Sequence, residues 1–368
     1  MAEIIIIFHW LFYAAALSWI IAILSALNNR RGKVLTGLDK PGLPLVNIVI
    51  PVKEERLPAE YLEKLSHFEG IENVLIGDDA AIKRWVSPRA QRYTGEKEND
   101  KVVRQQLAFK QLKNENQLVF FVDADIRLEQ SIIDEARLRF SNDKGLGLLF
   151  FAYNQVPVSK SFYAGIHAYL FNLCTIPLIR WFGMWGKIPG ALGGTMVMRI
   201  GDVKRYIDWE FLKRHLTEDT PMAKMIRESG LSVQCAVQTV QCVVPALSAK
   251  DFQHIWHRWF IGSRYYIPAV FYGVAGWMFC LHAGGLFVLI FDLFTGQSIL
   301  PSISIFFTWH LLIWVGMKTF GLWYKSYILA ATIIVPFAAF KPLLYAFSKK
   351  HVYWQGRNIK MNRDGYVS

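Results

Sequence analysis

The chain has 368 residues, of which 53% are hydrophobic and 15% aromatic, and it carries a formal net charge of +12. That length allows one large or two small soluble domains. The mean hydropathy of +0.24 is high for a soluble enzyme, and the apolar excess lies in a few segments. No basic patch is interleaved with a recognition motif, which argues against nucleic-acid binding; the positive balance instead suits anionic lipid or an anionic nucleotide. Cys174, Cys235, Cys242 and Cys280 lack metal-ligand spacing and do not read as a disulfide framework.

Ile4 to Leu27 runs without Lys, Arg, Asp or Glu. At about 1.5 Å per residue it is long enough for a hydrocarbon layer. A basic n-region and a clear cleavage site are missing, so a membrane span is preferred to a signal peptide. Arg30, Arg31 and Lys33 follow, which places the next domain in the cytoplasm by the positive-inside tendency.

Leu45 to Val52 is apolar and β-branched and predicts a buried strand. A helix is expected over Leu57 to Phe68, a strand over Val74 to Gly77, a helix over Val102 to Leu112 and a strand over Leu118 to Val122. This alternation predicts an α/β domain with a mostly parallel sheet. Ligands of such sheets gather beyond the carboxyl ends of the strands. Three clusters fall there: Lys53-Glu54-Glu55, Asp78-Asp79 and Asp123-Ala124-Asp125. Two carboxylates one residue apart suit a divalent metal held against a phosphate. Glycine-rich dinucleotide and Walker motifs do not occur at the corresponding turns, which weakens a dehydrogenase or an ATPase.

Phe162 to Ile188 is rich in aromatic residues and reads either as an interfacial segment or as an ordinary core helix. The turn Pro189 to Thr195, with Gly190, Gly193 and Gly194, permits close backbone approach to a substrate. Glu218-Asp219 precedes a helix over Met222 to Ser229. Thr217 or Asp219 could simply cap that helix, but capping does not require an adjacent acid pair, so a catalytic role is preferred. Phe252 to Tyr266 holds His254, His257, Arg258 and Trp259. It reads as an interfacial belt, or Arg258 faces a diphosphate while Trp259 closes over an acceptor.

Pro268 to Phe291 is expected as a second membrane span and Ser302 to Met317 as a third. Ile328 to Phe340, interrupted by Pro336, is read as a re-entrant or interfacial element. The basic tail prefers the cytoplasm. The expected organisation is a transmembrane helix over 1–30, a catalytic domain over 40–262 that includes the 162–188 segment, a membrane region over 263–348 and a basic tail over 349–368.

Asp78-Asp79, Asp123-Ala124-Asp125, Gly193-Gly194-Thr195, Glu218-Asp219 and Arg258-Trp259, in that order, resemble the membrane-bound family 2/21-like glycosyltransferases, in particular the ceramide glucosyltransferase family. Pro51 to Glu55 is similar to their Pro-x-x-x-Glu opening, and Trp354 to Arg357 to a short Trp-x-Gly-Arg motif. The family has Gln or Arg three residues before the Arg of its Arg-Trp pair, where this chain has Ile255. The resemblance implies a GT-A nucleotide-sugar-binding domain with transmembrane helices. Its activity would be a metal-dependent hexosyltransferase that uses Mn²⁺ or Mg²⁺ and inverts the anomeric centre. The implied donor is a nucleotide sugar, most often UDP-glucose, and the implied acceptor is the hydroxyl of a membrane lipid such as ceramide. Pro51, Glu54, Asp78, Asp79, Asp123 and Arg258 would bind the donor, and Asp125 with Asp123 the metal. Asp219, helped by Glu218, would be the base, and Gly193, Gly194, Thr195, His257 and Trp259 would face the acceptor. Alternatives are a processive polysaccharide synthase, an acceptor such as diacylglycerol, polyprenyl phosphate or a hopanoid, and an inactive lipid-binding scaffold.

Overall fold

The computed structural model describes residues 42–52, 57–77, 100–184, 188, 190–278, 285–296, 335–354 and 357–361, with isolated helical positions at 10, 17, 20, 300, 303, 311 and 314. In chain order the elements begin with β1 (Val46–Pro51), α1 (Ala59–Ser66), β2 (Ile71–Gly77), α2 (Asp100–Phe109), β3 (Leu118–Val122), β4 (Ile126–Arg127), α3 (Gln130–Asn142), β5 (Leu146–Pro157) and α4 (Phe162–Met184). They continue with β6 (Thr195–Arg199), α5 (Ile200–Tyr206), α6 (Trp209–Lys213), α7 (Asp219–Glu228), β7 (Ser232–Val244) and α8 (Ala249–Tyr266). The described order closes with α9 (Pro268–Met278), α10 (Gly285–Thr295), α11 (Val335–Ser348), β8 (His351–Trp354) and β9 (Arg357–Lys360). These elements fall into two compact units. One comprises Gly32–Asn154, Trp185–Val243 and Asn362–Ser368; the other comprises Met1–Arg31, Gln155–Met184 and Val244–Met361.

The first unit is built on a seven-stranded sheet of order β2-β1-β3-β6-β5-β7-β4. β1 runs parallel to β2 and to β3, as the strand–helix alternation predicts. The expectation of a mostly parallel sheet is nevertheless corrected. β6 is antiparallel to both β3 and β5, and β4 is antiparallel to β7. A helix between two strands does not by itself make them parallel neighbours: α4 separates β5 from β6, yet these pair antiparallel, and the run of parallel strands ends at β3. From there the chain turns through Asp123-Ala124-Asp125 straight into β4.

Strands β1 and β3 are buried along almost their whole length, which explains why they read as unbroken apolar runs rather than alternating ones. Ile48, Ile50, Phe120, Val122, Ile133, Phe140 and Phe151 form one core cluster. Each such side chain contributes about 1.5–3 kcal/mol by leaving water. Two polar side chains fasten elements around this core. The Glu135 carboxylate accepts from the backbone N–H groups of Val237 (2.7 Å) and Gln238 (2.9 Å), which fastens α3 to β7. The Tyr61 hydroxyl accepts from the Leu128 N–H at 3.0 Å. Burial pushes that phenol up to about 12, so it stays neutral.

In the second unit, α8 opens with a capping box. Ser248 accepts from the Asp251 N–H, and Asp251 accepts from the Ser248 N–H. The Arg264 guanidinium donates to the carbonyls of Ala346 and Phe347 at the end of α11. β8 and β9 pair as an antiparallel hairpin from His351↔Lys360 to Trp354↔Arg357, so the Trp-x-Gly-Arg motif closes the hairpin.

Among the described residues no helix is long and apolar enough to cross a membrane. This overturns the expected transmembrane helices, and with them the multi-pass localisation, the bilayer partner and the membrane-lipid acceptor. The expected span over 268–291 contains α9 and α10, and residues 279–284 between them lie outside the described residues. α4 has 23 residues, but His167, Asn172 and Arg180 interrupt its apolar character. α11 has 14 residues, with Pro342 inside it. The N-terminal stretch 4–27 and the segment 302–317 lie, isolated positions apart, outside the described residues.

Candidate active site

The β3–β6 pairing assembles the site. Val122 stands opposite Thr195, and the Asp123 N–H donates to the Gly194 carbonyl at 3.0 Å. The first acid after β3 therefore lies beside the glycine turn that enters β6. Gly193 in turn donates its N–H to Asp219 Oδ2 at 2.9 Å, which brings the start of α7 to the same place. Asp219 Oδ1 accepts from the Thr220 N–H at 2.6 Å. Glu218, at the N-cap position of α7, makes no side-chain capping bond. The Asp219 carboxylate bonds the glycine turn as well as the first turn of its own helix, so helix capping alone does not account for the acid pair.

The glycines are required for space. A Cβ on Gly193 would sit 3.1 Å from Asp219 Oδ2 and 3.2 Å from Glu218 Oε1, and one on Gly194 would lie 2.9 Å from the Tyr153 ring. The turn thus presses backbone against two carboxylates and an aromatic ring. Thr195 is fully buried and donates its hydroxyl to the Gly194 carbonyl.

Two residues that the sequence did not single out belong to this group. Lys101, in the first turn of α2, places its ammonium 2.5 Å from Asp123 Oδ1 and 2.5 Å from Glu218 Oε1. Burial opposes its charge, but the two carboxylates override that and hold its pKa above the ordinary lysine range. Tyr153 lies beneath Gly194; burial raises its pKa, and Cys242, Asp123, Asp219 and Asp125 raise it further, so the phenol stays protonated. A lone lysine in a polar stretch and a tyrosine in a long apolar strand carry no motif. Only the fold brings them to the acids.

Asp219 is the group most disturbed. Burial first, then the neighbouring Glu218 charge, raise its pKa to about 6, while the Thr220 N–H and Lys101 work in the opposite direction. Such a carboxylate is matched to accept a proton near neutral pH.

Asp125 is exposed, and Cys242 Sγ lies 3.5 Å from its Oδ2. Among the described residues no group of three or more His, Cys, Asp and Glu could hold a metal ion. A hard divalent cation at a diphosphate needs less than that, since one or two carboxylates and the phosphate oxygens commonly suffice. Asp125, with Asp123 two residues before it, meets that smaller demand.

Not every expected residue joins this group. Glu54, Asp78 and Asp79 lie outside the described residues, and Pro51 ends β1. His257, Arg258 and Trp259 stand on α8 in the second unit. There Trp259 packs against His167 (5.2 Å) and Phe171 (5.1 Å). Burial, and then Arg258, lower the His167 pKa to about 3, so this ring is neutral.

A half-buried acid set against a glycine turn, on an α/β sheet with paired carboxylates at a strand end, suits a group-transfer enzyme. A family model for glycosyl transferase family 21 matches residues 94–367. The chain belongs to glycosyl transferase family 21 and is a glycosyltransferase of the hexosyltransferase type. No curated protein matches the sequence. Among solved structures, the mannosyltransferase PcManGT from Pyrobaculum calidifontis, in complex with GDP-Man and Mn²⁺, superposes with a TM-score of 0.50 at 14% identity, over 90% of this chain and 98% of that one. S. aureus TarS 1–349 in complex with UDP-GlcNAc gives 0.35 at 12% identity, over 88% and 98%. Mannosyl-3-phosphoglycerate synthase from Rubrobacter xylanophilus gives 0.35 at 16%, over 64% and 75%. The Pyrobaculum likeness speaks to the fold alone. The glycosyltransferase part of the expected resemblance holds, and its membrane-spanning part does not.

Proposed function

We propose that the protein transfers a hexosyl group from a nucleoside-diphosphate sugar to an acceptor hydroxyl by a single inverting displacement, with Asp219 as the base. The observation that carries this reading is the placement of Asp219, which is half-buried against Gly193, raised to about 6, and linked through its neighbour Glu218 and Lys101 to Asp123 at the strand end. Each Asp219 oxygen accepts one backbone N–H, which leaves lone pairs to take the acceptor proton. As the hydroxyl oxygen bonds to the anomeric carbon, the bond to the diphosphate breaks on the opposite face. No covalent sugar intermediate is needed, so no second carboxylate nucleophile is required. Asp125 and Asp123 would hold Mn²⁺ or Mg²⁺, which when bound neutralises the diphosphate as its charge grows. Pro51, Glu54, Asp78 and Asp79 are assigned to the nucleoside side, and Gly193, Gly194 and Thr195 to the acceptor. UDP-glucose, the donor that the resemblance implies, is the first to test.

The experiment incubates the purified protein with labelled nucleotide sugars and hydroxyl-bearing acceptors, then determines the product's mass and its anomeric configuration by NMR. Asp219→Asn is expected to abolish transfer while nucleotide still binds. Retention of the donor's anomeric configuration, or full turnover by Asp219→Asn, sinks the mechanism.

A further inference from the structure

The reading above gives Asp219 the acceptor proton but leaves no task for the acid beside it. Glu218 is only 4% exposed, and a buried carboxylate is costly unless it is paired. Its partner is Lys101, and the same ammonium also holds Asp123, so one cation ties the end of β3 to the start of α7. The geometry around Gly193 shows why the tie matters. Glu218 Oε1 and Asp219 Oδ2 both crowd the position where that residue's Cβ would be, at 3.2 and 3.1 Å. Two carboxylates competing for one patch of backbone exchange places unless one is anchored elsewhere.

We propose that Lys101 is the positioning residue of the transfer: its ammonium pins Glu218 Oε1 beside the glycine turn, so that Asp219 is the carboxylate that takes the Gly193 N–H and faces the acceptor. The inference rests on Asp219 being the base. Lys101 touches no reacting atom in this role. It works by fixing which of two adjacent acids occupies the productive place, and a displacement of about 1 Å at such a site can cost about a hundredfold in rate.

The test uses the full chain with Lys101→Met, Lys101→Arg and the double variant Lys101→Met/Glu218→Gln. Lys101→Met is expected to lower kcat by about 30- to 100-fold while the nucleotide-sugar KM moves by less than about threefold. Lys101→Arg, which keeps the charge, should recover at least about a tenth of the wild-type kcat. The double variant removes the competing acid, so it should be more thermally stable than Lys101→Met alone and recover much of the lost kcat. Should Lys101→Met fail to fold, the double variant and Lys101→Arg carry the measurement. A folded double variant still about 30-fold or more slower than wild type would overturn the proposal, and so would an arginine variant no faster than the methionine one. A loss confined to nucleotide affinity would make Lys101 a diphosphate ligand and overturn it too. Normal turnover by Lys101→Met beside an inactive Asp219→Asn ends this proposal only. Normal turnover by Asp219→Asn ends the base assignment on which it stands.

Discussion

Asp219 is held in an environment that suits proton transfer and works against folding. Its raised pKa predicts an acid limb in kcat/KM near pH 6, because the base is lost as it protonates. Initial rates from pH 5 to 8 at limiting substrate would show it; a flat profile across pH 6 would remove Asp219 from the role. The same shift fixes the sign of its stability contribution. A carboxyl whose folded pKa exceeds the unfolded one carries no penalty below the unfolded value, and the penalty grows as pH rises through the folded value. Asp219→Asn is therefore expected to be more stable than wild type at pH 8, by about 1–2 kcal/mol, with the gap closing as pH falls below 6. Urea unfolding at the two pH values checks this. Equal midpoints at pH 8 would mean that the carboxylate is less desolvated than its burial indicates.

Among the elements, the glycine turn before β6 bears on both fold and chemistry, and Gly194→Ala separates the two poorly by design. Its Cβ would meet the Tyr153 ring at 2.9 Å and Ile126 Cδ1 at 3.2 Å, so about 1–3 kcal/mol of stability and much of the activity should go together. Gly147→Ala is the control. Its Cβ would strike Ile226 and Leu231 at 2.6 Å, away from the acids, so stability should fall with kcat unchanged in the folded fraction. If Gly194→Ala lost stability alone, as the control does, the turn would be only a packing element. The contrast also shows what the sequence could disclose. β1 and β3 were legible because burial on both faces makes them continuous apolar runs, and Asp123, Asp125, Gly193, Glu218 and Asp219 were legible because their chemistry is unusual at strand and helix ends. Strand direction beyond β3 was not legible. β4 has two residues, and apolar runs carry no record of which way a neighbour runs. Apolar length misled in the last third of the chain, since among the described residues no helix is long and apolar enough to cross a membrane. Lys101 and Tyr153 were invisible because their significance is a contact, not a pattern.

Across the whole molecule, 41 Lys and Arg against 29 Asp and Glu leave a formal charge of +12, although the site itself gathers Asp123, Asp125, Glu218 and Asp219 around one lysine. The local field therefore does not favour a diphosphate, and attraction of an anionic donor has to come from the rest of the surface. Charges separated by more than about 8–10 Å are screened at physiological salt, so this long-range share can be measured apart from the contacts in the site. Raising KCl from about 20 to 300 mM should lower kcat/KM for the nucleotide sugar severalfold while kcat changes little, because salt slows encounter rather than displacement. A kcat/KM that does not respond to salt would mean that the basic surface has no part in donor capture. A kcat that falls in parallel would place the salt-sensitive charges inside the site, where the Lys101 pairs are the first to consider.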